Sequence, residues 1–251
     1  ITMTGLQTDI NSVTSLAGRI ALVSGGTRGL GLEISRQLAG LGALVVIGGR
    51  LKPGTAESTE KISSFPEGAD YVNLDVTSSQ SISNCFDFIL GKYGRLDILI
   101  NNAGVFLDKP LEGGVINCSP DEFFETLAVN LVGAYALIDA FILNMRKNNY
   151  GRIVNISSGM GRCVELDGTA LAYRTSKAAL NTMTAILAKR EIDYDIKVNA
   201  VCPGWVRTQM GGPNATRSAT QGAAGVVHAA SLPSEGFTGY LLRDGERFGC
   251  A

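Results

Sequence analysis

Tyr173 and Lys177 stand four residues apart in the run Tyr173-Arg174-Thr175-Ser176-Lys177, a helix-compatible stretch. Side chains at that spacing fall on one face of a helix, one turn apart. A phenol alone is a poor proton donor or acceptor near neutral pH, because its pKa is about 10. A neighbouring ammonium favours the phenolate and lowers that value. The pair therefore suits a tyrosine that moves a proton. An ordinary amphipathic helix would show the same spacing, so the meaning of the pair depends on the rest of the chain.

The apolar run Ile20-Ala21-Leu22-Val23 leads into Ser24-Gly25-Gly26-Thr27-Arg28-Gly29-Leu30-Gly31. This is G-x-x-x-G-x-G between a strand and a helix. Glycines there permit a tight turn and bring backbone N–H groups close to a pyrophosphate at the helix N-terminus. Gly25, Thr27, Arg28, Gly29, Leu30 and Gly31 form the candidate cradle. The second strand ends in Gly48-Gly49-Arg50, without the carboxylate that would meet a ribose 2′-OH. Two guanidiniums, Arg28 and Arg50, suit a 2′-phosphate instead, hence NADP(H). Each arginine could equally be a solvated surface residue. Asp75, followed by Val76, ends the third strand, where a carboxylate can meet an adenine edge or serve as a helix-start turn residue; both readings stand. Asn101-Asn102-Ala103-Gly104 ends the fourth strand. Asn102, Ala103 and Gly104 offer a wall of small residues and amides against a cofactor, although turns of this composition also arise for structural reasons.

These residues need elements to position them. The pattern predicts strands at Ile20–Ser24, Ala43–Ile47, Tyr71–Leu74, Ile98–Asn101, Ile153–Ser157, Lys197–Val201 and Gly239–Leu242. Helices are expected at about 29–41, 79–92, 120–147, 171–190 and 216–230, with a weak short one around 55–63. Regular alternation of strand and helix implies an α/β fold, a parallel sheet with helices on both faces. Residues 1–17 read as a polar N-terminal extension and 18–251 as a single domain. Ser119-Pro120-Asp121-Glu122 supplies a cap, a proline and acids for the first turn of the long helix that carries Asn130.

Composition narrows the function classes. A chain of 251 residues is 45% hydrophobic and 18% charged, with a formal net charge of −1 and no basic block. Nucleic-acid binding thus has no electrostatic support. The five cysteines, at 85, 118, 163, 202 and 250, form no C-x-x-C pair. They read as thiols in a reducing, cytoplasmic compartment rather than as a disulfide framework or zinc site. The longest apolar run, Leu127 to Leu143, is interrupted by Asn130 and Asp139 and reads as a buried helix, so no membrane partner is expected. No signal-peptide pattern opens the chain, which starts at Ile1 and leaves its true start open. Glycine, at 31 residues, is enriched over its usual share of about 7%. Turns and close approach to a ligand would explain that.

Taken together, the glycine loop, Asn101-Asn102-Ala103-Gly104, Asn130, Ile153-Val154-Asn155-Ile156-Ser157-Ser158, Tyr173 to Lys177 and Pro203-Gly204 resemble the classical short-chain dehydrogenase/reductase family. The match runs from Arg19 to about Gly245. Val198 to Thr208, continuing through Gly212-Pro213-Asn214-Ala215-Thr216, is similar to the carbonyl-reductase branch. The resemblance implies one Rossmann-like, doubly wound domain with a seven-stranded parallel sheet. It also implies Tyr173 as acid/base, and Lys177 as the group that holds the nicotinamide ribose and lowers the tyrosine pKa. Ser158 would meet the substrate oxygen, and Asn130 would anchor a water between Lys177 and solvent. Pro203, Gly204, Val206 and Thr208 would border the cofactor. Ser157 competes with Ser158, but alternation sends the two to opposite faces.

Some positions depart from the family pattern. Ser24 stands where threonine is common. Fourteen residues separate Ser158 from Tyr173, about two more than usual, so Gly159–Leu171 is expected to shape a distinctive and adjustable pocket wall. The C-terminus reads Asp244-Gly245-Glu246-Arg247, which puts the usual tetramer-forming edge in doubt; a homodimer or homotetramer remains the expected assembly. Cys163, Val164, Trp205 and Met210 are the candidate pocket residues, with Trp205 an alternative core residue. Their apolar character points to an apolar ketone, aldehyde or alcohol substrate. The expected reaction is NADP(H)-dependent carbonyl reduction or its reverse, without a metal. Enoyl reduction, dehydration, epimerisation, or a dinucleotide-binding regulator without turnover are the alternatives. His228 is expected at a helix surface or interface, and Glu165 and Asp167 as solvated loop charges.

Overall fold

A computed structural model describes residues 14–52, 54–109, 118–165 and 168–250. Residues 1–13 of the extension and Asp167 lie outside them, as does the Glu165 side chain. Along the chain the elements are β1 (Ile20–Ser24), α1 (Gly29–Gly40), β2 (Leu44–Gly49), α2 (Ala56–Ser63), β3 (Asp70–Asn73), α3 (Ser79–Tyr93) and β4 (Ile98–Asn101). There follow α4 (Pro120–Leu127), α5 (Gly133–Lys147), β5 (Gly151–Ile156), α6 (Leu171–Arg190), β6 (Ile196–Val201), α7 (Ala219–Ala230), β7 (Tyr240–Arg243) and β8 (Glu246–Cys250).

The sheet order is β3-β2-β1-β4-β5-β6-β7-β8. Strands β1 to β7 are parallel, and the chain reverses its direction of travel between β1 and β4. In doubly wound sheets that switch point opens a crevice at the carboxyl ends of the strands. Ser24 and Asn101 lie at those ends. Alternation along β1 sends Ala21 and Val23 to one face, against Ile34 and Leu38 of α1 and Val226 of α7. It sends Ile20 and Leu22 to the other, against Ile89 of α3, Leu137 and Phe141 of α5 and Leu187 of α6.

Among the described residues the sheet has eight strands rather than the seven expected. Strand β8 runs antiparallel to β7, and Arg243 pairs with Glu246 across the two-residue turn Asp244-Gly245. Both turn residues have positive φ, 53° and 82°. That is the geometry an Asp-Gly hairpin turn requires, so the C-terminal departure from the family pattern is a hairpin that covers the edge of β7.

Two further differences concern boundaries. The stretch 120–147 is not one regular helix: a π-helical turn, Ala128–Val132, separates α4 from α5. This stretch is long and apolar enough to cross a membrane by length and composition. Here Leu137, Phe141 and Met145 pack against the sheet and Asn130 is buried. At the other end of the chain, Leu16 is not part of a free extension. It is buried, and its N–H donates to the Leu41 carbonyl.

Candidate active site

Helix α6 begins directly before Tyr173 and brings Lys177 beneath it. The Lys177 ammonium is buried, donates to the Ile156 carbonyl at the end of β5 (2.7 Å), and sits 5.5 Å from the centre of the Tyr173 ring. Ser158 follows β5 by two residues, and its hydroxyl lies near enough to the Tyr173 phenol to pull its pKa down. The Ser158 oxygen also accepts the Met160 N–H (3.1 Å). Ser157 points the other way, buried, and donates to Asn181 Oδ1 (2.6 Å). The two serines thus point to opposite faces, as the strand's alternation requires.

Burial sets the titration of both site residues. It pushes the Tyr173 phenol up to about 12, with Ser158 pulling the other way and the Cys202 thiol adding to the rise. It pushes the Lys177 ammonium down to about 8. In the protein alone the Tyr173 phenol is therefore raised rather than lowered, because loss of water disfavours the phenolate.

Asn130 lies in the π turn, a type of bulge that often re-aims a side chain at functional sites. Its Oδ1 accepts the Val105 N–H (2.8 Å), and its Nδ2 donates to the Val105 carbonyl (2.9 Å) and to Ser176 Oγ (3.0 Å). Its amide is therefore spent on tying the segment after β4 to α6. Gly104 lies alongside: a Cβ there would come 3.3 Å from Asn130 Oδ1 and 3.8 Å from Lys177 Nζ.

The glycine loop is tightly built. Gly25 and Gly29 have positive φ, and a Cβ on Gly31 would stand 2.4 Å from Asn102 Nδ2 and 2.5 Å from the Gly25 carbonyl. Ser24 Oγ donates to the Ile100 carbonyl (3.2 Å) and accepts the N–H groups of Asn102 (3.0 Å) and Ala103 (3.1 Å). Asn102 Nδ2 in turn donates to the carbonyls of Ser24 and Gly25. The serine thus locks the loop to the end of β4. At the start of α1, Arg28 has extended backbone and makes no side-chain cap, and the first turn carries no acid. An uncapped helix N-terminus of this kind suits a phosphate.

Thr27 packs on Gly49, where a Cβ would come 2.4 Å from Thr27 Cγ2. Arg50 follows and is exposed, with Nη1 4.0 Å from Asp75 Oδ2. Tyr71, which sequence reasoning did not single out, shapes this turn: its hydroxyl donates to the Gly49 carbonyl and accepts the Leu51 N–H. Asp75 Oδ1 accepts both the N–H and the hydroxyl of Thr77, which holds the carboxyl below its ordinary value. Its turn-residue reading is therefore realised, with Oδ2 left toward Arg50. Thr208 Cγ2 lies 3.4 Å from where a Cβ on Gly29 would stand. Gly204 has a φ of 79°, in the left-handed region. The side chains of Val76 and Val206 are buried, packed on Gly133 and Gly222 respectively, so only their backbones can border a ligand. Leu30 also turns toward Gly222.

The proposed pocket residues are all exposed, Cys163 and Val164 on a short 3-10 turn, Trp205 and Met210 on the loop after β6. Trp205 Nε1 donates to the Gly211 carbonyl (2.8 Å), which fixes the loop and excludes Trp205 from the core. The expectation of an adjustable wall meets a constraint at Gly161. A Cβ there would come 2.8 Å from the Lys177 carbonyl carbon, so this glycine serves close packing on α6. His228 is half-buried, with Nε2 enclosed and without a partner among the described residues. Two site residues left no mark in the sequence pattern: Phe106, whose ring lies 4.7 Å from that of Tyr173, and Asp108, whose carboxylate meets the start of α6.

Comparison with known proteins agrees with this geometry. The short chain dehydrogenase family matches residues 19–219. Salutaridine reductase of Papaver bracteatum is 30% identical, over 94% of this chain and 96% of that one. (+)-Neomenthol dehydrogenase of Arabidopsis thaliana is also 30% identical, over 86% and 93%. A 3-oxoacyl-(acyl-carrier-protein) reductase of Aquifex aeolicus is 35% identical, over 78% and 77%. Among solved structures, NADPH-bound carbonyl reductase from chicken fatty liver superposes with a TM-score of 0.82 at 28% identity, covering 94% of this chain and all of that one. With the sheet order, the glycine loop and the serine, tyrosine and lysine cluster in place, the chain belongs to the short-chain dehydrogenase family.

Proposed function

We propose that the protein is an NADP(H)-dependent carbonyl reductase or alcohol dehydrogenase in which Tyr173 is the acid/base. The observation that carries this reading is the Ser158 hydroxyl close to the Tyr173 phenol, with the Lys177 ammonium 5.5 Å from the centre of the phenol ring. Two neighbouring hydroxyls can hold a carbonyl oxygen, and the phenol can give it a proton. The bound nicotinamide would supply the hydride. Gly25 to Gly31 and the uncapped start of α1 would hold the pyrophosphate. Arg28 and Arg50 would meet a 2′-phosphate, and no carboxylate ends β2 to favour a ribose hydroxyl instead. Among relatives, a reductase, a dehydrogenase and an NADPH-bound carbonyl reductase support the same class. Phe106 beside Tyr173, with Trp205 and Met210 exposed on the loop after β6, suits an apolar substrate.

The test is NADPH oxidation against a panel of ketones, quinones and aldehydes, with Tyr173→Phe alongside. The substitution keeps the ring and its contact with Phe106. Removing a general acid lowers turnover by about 10²–10⁴-fold. Full turnover by Tyr173→Phe on the best substrate would overturn the assignment.

A further inference from the structure

Among the described residues, the one that precedes helix α6 makes no side-chain cap. The helix starts after Ala170, which has a φ of 52° and no side chain able to accept a hydrogen bond, and its first turn carries no acid. The first N–H groups of a helix need acceptors. Here they are met from elsewhere in the chain: Asp108 Oδ1 accepts the Ala172 N–H (2.9 Å) and Oδ2 accepts the N–H of Tyr173 itself (3.0 Å).

The other main-chain group of Tyr173 is held through the same segment. Its carbonyl accepts the Ser176 hydroxyl (2.7 Å), Ser176 Oγ accepts from Asn130 Nδ2, and Asn130 grips both backbone groups of Val105. Between Val105 and Asp108, the Phe106 ring lies against the Tyr173 ring. Residues 104–108 therefore hold the tyrosine at its N–H, at its ring and, through Asn130 and Ser176, at its carbonyl.

We infer that Asp108 is a positioning residue for Tyr173: it sets the backbone from which the phenol reaches the substrate oxygen. This rests on the reading of Tyr173 as the acid/base. A side chain held within about 1 Å of its productive place can be worth 10²-fold in rate. Asp108 also contributes a charge-assisted pair of bonds, stronger than neutral ones. Nothing in this assignment requires Asp108 to touch substrate or cofactor.

The experiment compares wild type, Asp108→Ala and Asp108→Asn in saturating NADPH with the best ketone found. Asp108→Ala is expected to lower kcat by about 10–100-fold, with NADPH Kd and ketone KM within about two-fold of wild type. Asp108→Asn keeps one acceptor oxygen, and is expected to recover a large part of that loss. A merely structural residue would lower the amount of folded enzyme without this split or this rescue. Amide hydrogen exchange at Ala172 and Tyr173 is measured on the same proteins. It should quicken by about ten-fold or more in Asp108→Ala while the sheet stays protected, since a lost cap opens the first turn. Unchanged exchange at these amides, or kcat within two-fold of wild type, overturns the inference. If no substrate turns over, or Tyr173→Phe is fully active, the reaction assignment fails instead, and the exchange result still decides whether Asp108 holds the helix.

Discussion

The Lys177 ammonium donates to the Ile156 carbonyl at 2.7 Å, from a position closed to water. That bond satisfies one of its three protons, and burial still lowers its pKa to about 8. Tyr173 stays protonated to about 12. Of this pair the lysine is the first to lose its proton on the alkaline side. Below about pH 8 the lysine is charged and favours the phenolate that forms as Tyr173 gives up its proton. Above it the charge is gone. For ketone reduction, kcat/KM for NADPH should therefore fall on the alkaline side with an apparent pKa near 8, since that parameter reports the free enzyme. Lys177→Arg keeps a charge throughout the range and should move the alkaline limb up by at least about one unit, because a guanidinium pKa lies above about 12. A limb that stays in place in Lys177→Arg assigns it to another group.

Arg50 sits on a turn whose two flanking backbone groups are held by the Tyr71 hydroxyl, and its nearest acid, Asp75, is 4.0 Å away. Little has to be given up for it to meet a phosphate. Charge-assisted hydrogen bonds are worth about 1.5–3 kcal/mol, and about 1.4 kcal/mol is a factor of ten. Wild type should prefer NADPH to NADH by at least ten-fold in kcat/KM. Arg50→Ala should erode the preference through NADPH alone. Equal use of both cofactors by wild type contradicts the roles of Arg28 and Arg50.

Gly31 offers a steric test of the cradle. An added methyl would press on Asn102 Nδ2 at 2.4 Å and on the Gly25 carbonyl at 2.5 Å. The amide could yield, the backbone of the loop much less. Overpacking of this kind costs about 1–3 kcal/mol. In Gly31→Ala, isothermal titration should find NADPH binding weakened by about ten-fold or more, with Tm also lowered. Wild-type affinity would show that the ligand does not use this loop.

The turn Gly159–Gly161, at the start of the pocket wall, gives a fourth test. Its last residue packs on the Lys177 backbone, where a Cβ would come 2.8–2.9 Å from three atoms of the helix. Gly161→Ala should displace Lys177 or the turn, and lower kcat more than it changes stability. Circular dichroism melting and steady-state kinetics on the same preparation separate the two effects.

Much of this molecule could be read from its residues. The alternation of strand and helix, the glycine loop and the Tyr173–Lys177 pair all depend on local pattern, and α6 begins and ends where the pattern put it. The start of α7 moved from about 216 to Ala219 because Ser218 and Gln221 form a capping box there. The π turn was hidden because the apolar periodicity runs straight through it, with Asn130 as its only polar trace. Asp108 was missed for a different reason. A cap is sought just before its helix, whereas this one comes from a segment 64 residues away. Phe106 lies in irregular chain, where no periodicity marks an apolar residue as part of a site.

The ties around Tyr173 join distant parts of the chain: 65 residues from Asp108 to Tyr173, 46 from Asn130 to Ser176, 78 from Ser24 to Asn102. Closing long loops is slow, and contacts of this range are won only after their chain entropy has been lost. Individual helices have no such requirement. On dilution from denaturant, helical signal should therefore return before turnover does, and a partly folded chain can carry most of its secondary structure with no competent tyrosine. Activity in this protein is the strictest measure of whether folding has finished.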